Sequence, residues 1–254
     1  SGSGSGSGSV SASGSVSASG SVSASGSVSG SASGSVAPSA SGSVAPSASG
    51  SVAPSISYGE PDLIVEASYD ADVSKNSNTS WNDVHDAASG SSTTDGNNSI
   101  YTQVTYDGGT SWNISRIFIQ FPTAVLTPQT LMGAKLLINL KGSNGSLSLQ
   151  ESAQTGTIAA EDYDNFTGAF FDIVPTGSTG WYEFTLNAAG VSYIENNLGM
   201  SDIAFCLRNY EYDYRDIEPS GSVNLTCDMS TIEDLGSASG SVGPNTAVLE
   251  LYYT

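Results

Sequence analysis

His85 is the single histidine of this chain, and it lies in the run Trp81-Asn-Asp-Val-His85-Asp86, flanked by the carboxylates Asp83 and Asp86. Imidazole changes charge near neutral pH, so a lone histidine beside acids is the first place to look for a general base. Base catalysis needs a nucleophile, and no serine lies in a recognisable nucleophile turn. The residues therefore point to a histidine that fixes a corner of the fold, and no catalytic residue is expected. One His and two Cys are too few for a zinc-type site.

Carboxylates cluster at Glu161/Asp162/Asp164 and at Glu211/Asp213/Asp216. Two carboxylates suffice for a glycosidase, but a solvated acidic loop has the same appearance. Hard oxygen ligands at close spacing suit Ca²⁺ better. Asp70, Asp72, Glu161, Asp162 and Asp164 are thus the candidate metal ligands and calcium the candidate cofactor, although neither group has the spacing of an EF-hand loop. Arg208 and Arg215 stand near Asp213 and Asp216, where ion pairing is expected.

Tyr210, Tyr212 and Tyr214 alternate with Glu211, Asp213 and Arg215. On a strand that spacing puts three rings on one face, as a subunit contact or a platform for sugar rings. Cys206 and Cys227 are compatible with one disulfide or with two buried thiols. The alternation around them puts Cys206 out of phase with Ile203/Phe205/Leu207 and Cys227 in phase with Val223 and Leu225. Directly paired strands would then hold the sulfurs on opposite faces unless a bulge intervenes. Asn78, Asn97, Asn113, Asn144, Asn165 and Asn224 begin Asn-x-Ser/Thr triplets and are candidate glycosylation sites.

The charge balance restricts the partners. Six Lys plus Arg against 25 Asp plus Glu give a net charge of −19, which rules out phosphate-backbone binding and disfavours an anionic membrane surface. No apolar run approaches the ~18 residues of a membrane span. The chain begins at Ser1 rather than Met and shows no signal peptide, as expected of a mature form or an excised segment. Together these features fit a secreted, extracellular or cell-surface protein.

Residues 1–57 obey a different rule from the rest. Every odd position from Ser1 to Ser35 is serine, and the even positions hold only Gly, Ala or Val. The frame persists to Ser57, broken only at Ala37, Ala45 and Ala53, each followed by proline. Period two is the period of a strand, whereas a Gly/Ser linker needs no phase. An extended segment with a serine row on one side and a small apolar row on the other is expected. The same vocabulary returns at 236–244.

From Asp62 onward, short alternating runs separated by Gly, Asn, Asp, Ser and Pro clusters predict an all-β domain over 58–254. Ten strands are expected: Leu63–Ala67, Ile100–Tyr106, Ile114–Phe121, Ala134–Leu140, Ser146–Glu151, Ala169–Ile173, Trp181–Leu186, Ile203–Arg208, Val223–Cys227 and Ala247–Tyr253. Inward faces follow as Ile117/Ile119/Phe121, Leu136/Ile138/Leu140, Leu147/Leu149, Tyr182/Phe184/Leu186, Ile203/Phe205/Leu207 and Leu249/Leu251. A short helix is expected at about 188–196. One-sided alternation in about ten strands implies a two-sheet, jelly-roll-like sandwich.

Trp81-Asn-Asp-Val-His85-Asp-Ala-Ala-Ser-Gly90, Arg116-Ile-Phe118-Ile-Gln-Phe121, Ala134-Lys-Leu136, Glu161-Asp162-Tyr163-Asp164-x-Phe166 and Leu249-x-Leu251-Tyr-Tyr-Thr254 follow in that order. This order resembles the DNRLRE-type and related carbohydrate-binding-module-like β-sandwiches of secreted and surface proteins. The resemblance covers most of residues 60–254 and implies adhesion, sugar binding or a surface-layer role.

Two functions are compatible with these features. One is a structural subunit of an extracellular filament, sheath or surface layer that self-assembles as a homopolymer by strand addition. In it the N-terminal segment packs on neighbouring subunits. The other is a carbohydrate-binding or adhesive module, with glycans as partners, on a Ser-rich stalk. Neither involves nucleic acid or membrane insertion.

Overall fold

A computed structural model describes residues 58–95, 99–154, 156–232 and 246–254. The N-terminal segment, the triplet at Asn97 and the 236–244 copy fall outside the described residues. The strands are β1 (Leu63–Glu66), β2 (Tyr69–Ser77), β3 (Ser92–Thr94), β4 (Ser99–Tyr106), β5 (Trp112–Phe121) and β6 (Leu131–Ser143). They continue with β7 (Gly145–Ser152), β8 (Phe166–Thr176), β9 (Gly180–Thr185), β10 (Ile203–Asn209), β11 (Val223–Ser230) and β12 (Val248–Tyr253). Two helices, α1 (Asn82–His85) and α2 (Ala188–Asn197), complete the regular elements with a 3₁₀ turn at Ala160–Asp164 and a π-helical turn at Tyr210–Tyr214.

The class is all-β and every pairing is antiparallel. Two layers can be traced, β3-β2-β5-β10-β7-β8 and β1-β12-β6-β9. The pair β4–β11 joins them, β4 bonding β5 and β11 bonding β6, so hydrogen bonds run through one curled sheet of twelve strands. Closing the corner in this way leaves fewer open edges than two separate sheets would.

Alternation explains which residues are inside. Ile117, Ile119, Phe121, Leu136, Ile138, Leu140, Leu147, Leu149, Phe184, Leu186, Ile203, Phe205, Leu207, Leu249 and Leu251 all enter one core between the layers, with Tyr182 packed at its margin. Phe205 anchors it through edge-on contacts with Phe121 and Phe171, at centroid distances of 5.9 and 6.0 Å, the geometry that aromatic quadrupoles favour. Helix α2 lies over one opening of this core and contributes Ile194. It starts where the Asn187 side chain accepts hydrogen bonds from the amides of Ala189 and Gly190.

Ten expected strands are present with shifted ends, and two more were not foreseen. β2 reads Tyr-Asp-Ala-Asp-Val-Ser-Lys-Asn-Ser, and its aspartates hide the alternation because they point inward. β3 is three residues long, too short to carry a period.

β5 is buried on both faces along nearly its whole length. Its second face, with those of β2, β4 and β10, meets a second core: Ala71, Val73, Val104, Trp112, Ile114, Phe118 and Cys206 packed under Trp81, Val84, Ile158 and Tyr163. These covering residues come from α1 and the loops around the 3₁₀ turn. The outside of one layer is thus roofed by loops, and charged residues on that face become interior.

Candidate functional site

Arg116 sits in the middle of β5 with its side chain fully buried under that roof. Leu207 of β10 pairs with Ile117 of β5, so the next residue, Arg208, falls beside Arg116 on the same face. Two guanidinium groups in a dry interior require an anion, and Asp213 supplies it. Its Oδ1 accepts from Nη2 of both arginines at 2.7 Å, and its Oδ2 accepts from Arg116 Nε at 3.1 Å.

Main-chain carbonyls and the Gln150 side chain extend the shell, while Arg208 Nε is buried without a hydrogen-bond partner among the described residues. Arg116 donates to the carbonyls of Tyr163 (3.0 Å) and His85 (2.9 Å), and Arg208 donates to the Asp213 carbonyl (2.6 Å) and to Gln150 Oε1 (3.1 Å). Tyr163 and Phe166 place their rings 4.1 and 4.9 Å from the Arg116 guanidinium carbon, and Phe166 lies 4.3 Å from that of Arg208. One buried charge cluster therefore fastens α1, the 3₁₀ turn and the π-helical turn to β5 and β10. Burial alone would push the Asp213 carboxyl up. The two arginines and their hydrogen bonds outweigh that and hold it far below the ordinary carboxylate range.

His85 forms the rim of this cluster. Nε2 lies 2.8 Å from the Asp213 carbonyl, and Nδ1 lies 2.6 Å from Asp86 and 3.3 Å from Asp216. The ring stacks on Trp81 at 5.4 Å, and Trp81 donates from Nε1 to Asp216. Asp216 reaches this position with a left-handed backbone, φ 49°. His85, Asp86 and Asp216 are the one group of three potential metal-binding side chains brought together among the described residues. Asp86 and Asp216 are exposed, and the histidine nitrogens already face protein partners.

The expected calcium ligands do not converge. Asp72 is buried in β2, accepts from the Tyr101 amide and is pushed up to about 6 by its burial. Asp70 accepts from the amide of Ile232. Asp162 is used by the 3₁₀ turn, accepting from Ala159 N and Asn165 Nδ2. Asp164 approaches Arg116 at 3.9 Å, and Glu161 is exposed.

The tyrosine row is corrected. Residues 210–214 form a π-helical turn, begun by the Asn209 side chain accepting from Tyr212 N. Tyr210 and Tyr214 stack on each other at 5.6 Å, while Tyr212 packs toward the second core. The chain coils here because the coil returns the Asp213 carboxylate to Arg208. Arg215 pairs with no acid at close range among the described residues; it lies 5.9 Å from the Tyr210 ring.

Of the two alternatives for the cysteines, the structure has the pair of buried thiols. Cys206 and Cys227 are free and buried, Cys206 in the loop-covered core and Cys227 in the core between the layers. The strand phase separates them, and burial pushes the Cys206 thiol up to about 12.

The asparagines divide by their hydrogen bonds. The amides of Asn113, Asn144 and Asn165 donate to Gln103 Oε1, the Asn224 carbonyl, and Gln154 Oε1 with Asp162, respectively. Asn78 and Asn224 are exposed with no such donation among the described residues.

A second surface was not legible in the sequence. On the outer face of the β1-β12-β6-β9 layer, Val248 pairs with Leu137, with Glu66 and Glu183 at the two ends of that row. Ile64 and Trp181 lie diagonally on either side and are 54% and 48% exposed. At the end of the layer the Tyr58 ring lies flat on Tyr252, 4.6 Å between centroids, and over Gly133, where any Cβ would collide with it. Lys135 Nζ stands 5.9 Å from both rings. The glycine thus makes the seat for the first described residue.

No helix among the described residues is long and apolar enough to cross a membrane. Comparison with known proteins finds no family model that matches this chain and no curated protein similar to it.

Proposed function

We propose that the protein is a structural subunit of an extracellular filament, sheath or surface layer, assembling by packing its N-terminal segment on neighbouring subunits. The observation that carries this reading is the division of charge and phase along the chain. All 25 acidic and all six basic residues lie within 58–254, while residues 1–57 contain none and keep a period-two placement of Ser. That placement is unbroken to Ser35, with Gly, Ala and Val between, and is interrupted afterwards at three Ala-Pro pairs. Folded domains of this charge repel one another. The neutral segment approaches another copy without adding like charge, and its alternation suits packing as an extended strand. Fully extended, 57 residues span on the order of 190 Å, several domain widths. The buried charge cluster fits a subunit that needs rigid loops, since each of its polar contacts is internal.

Electron microscopy of the purified full-length chain tests this. Ordered polymers with the segment traced into adjacent subunits are expected, and monomers at all concentrations would overturn the reading.

A second reading, a carbohydrate-binding or adhesive module, is favoured by one observation: Trp181 stands half-exposed on an open sheet face, a shape on which a sugar ring can stack. Binding of monomeric protein to a glycan array, abolished by Trp181→Ala, would favour it over assembly.

A further inference from the structure

The outer face of β1-β12-β6-β9 carries Tyr58 over its Tyr252–Gly133 end and leaves Ile64 and Trp181 about half-exposed, unlike the outer face of the other layer, which the loops roof. It carries a diagonal apolar stripe, Ile64, Val248, Leu137 and Trp181. Cross-strand neighbours on one face sit about 5 Å apart when opposite and roughly 7–8 Å when diagonal, so the four side chains form one continuous strip. Glu66, Glu183 and Glu250 flank it, with Lys135 bonded to Glu183 at 3.0 Å.

We infer that this strip is the seat of the N-terminal segment of a second copy of the chain, an inference that rests on the assembly reading above. Three observations select that occupant. First, the acidic flanks repel another acidic domain, and residues 1–57 are the one long stretch of this chain without charge. Second, the strip is apolar, with Ile64 and Trp181 about half-exposed at its ends. It suits a row of Ala, Gly and Val rather than bulky side chains, and valine recurs at 10, 16, 22 and 28, every ~20 Å along an extended chain.

Third, the described chain begins on this face: Tyr58 is stacked on Tyr252 and seated over Gly133. The segment's root is thus fixed beside the strip. The layer is about 15 Å across its four strands, so a segment with an extended reach of ~190 Å is long enough to extend to other copies. The free edge of β1 is a poorer seat. Ala67 N bonds Ala247 O, and alternation then leaves only the main-chain groups of Ile64 and Glu66 facing outward. Pro61 stands at its start, lacking an N–H.

The test uses full-length chains with single added cysteines, since Cys206 and Cys227 are buried. Val28→Cys and Leu137→Cys chains are prepared separately, mixed and oxidised. A disulfide-linked heterodimer is expected, with little product when Glu218→Cys, in the exposed loop beyond the π-helical turn, replaces Leu137→Cys. Wild-type polymers in which Val28→Cys links equally to Glu218→Cys, or not to Leu137→Cys, overturn the assigned face and leave the assembly reading standing. Wild-type monomers overturn both. A chain carrying both substitutions that closes only on itself shows the segment covering its own sheet and overturns the second copy as occupant. Leu137→Glu provides the complementary variant. A folded protein by circular dichroism that no longer pellets as polymer is expected, and unchanged assembly counts against the strip.

Discussion

Arg116 and Asp213 stand 97 residues apart in the chain and meet as a forked pair with both side chains fully buried. Arg208, on the strand next to Arg116, shares the same carboxylate. The aspartate is the counterion of two cations, so the three charges act as a unit that closes the loops over β5 and β10.

Asp213→Ala should be among the most destabilising single changes in the domain. It leaves two buried guanidiniums without their anion, a situation that costs about 3–5 kcal/mol. Urea unfolding of the variant and the parent protein checks this. A loss near zero would mean that solvent reaches the arginines.

Stability should depend on pH in two opposite senses. Burial raises Asp72 from the ordinary 3.8 to about 6. Between about pH 4 and 6 the folded state keeps a proton that the unfolded chain releases, so stability falls as pH rises through that window, by at most about 3 kcal/mol. Asp213 is held low, so its contribution is present above about pH 4 and fades as pH falls toward its folded value. Asp72→Asn retains an oxygen for the Tyr101 amide and should reduce the pH 4–6 slope. Burial also raises Asp172, which contributes in the same sense. Denaturation at pH 4.5 and 7.5 measures it.

Both thiols should be silent in the native protein. Cys206 and Cys227 are buried in separate cores, and the thiolate is the reactive form. A thiol reagent should label neither in buffer and both in denaturant, and a reductant should leave the melting temperature unchanged.

Expression in a glycosylating host should modify Asn78 and Asn224 in preference to Asn113, Asn144 and Asn165. The last three use their amides in hydrogen bonds, which a glycan on that nitrogen would disrupt. Peptide mapping by mass spectrometry gives the occupancy of each.

Gly133→Val should expel Tyr58 from its seat. The expected loss is that of one aromatic pair, about 0.5–1.5 kcal/mol, with a change in Tyr58 exposure readable by fluorescence quenching in a Tyr58→Trp background.

The alternation of Ile117/Ile119/Phe121 or Ile203/Phe205/Leu207 determined by itself which row of each strand enters the core between the layers, because a strand's side chains must alternate and an apolar row gains by leaving water. That the opposite row of β5 and β10 is buried as well was decided by the loops that roof it. The same rule separated the two cysteines, and the charge count separated residues 1–57 from the rest. Tertiary structure decided whatever depended on a partner far along the chain. The acids of β2 point inward because neighbouring segments supply their amides. Tyr210–Tyr214 coils instead of extending because Asp213 must reach Arg208 and Arg116. Local period carries no record of such partners, since an ion pair is specified by where two distant strands and a turn come to lie, and only packing fixes that.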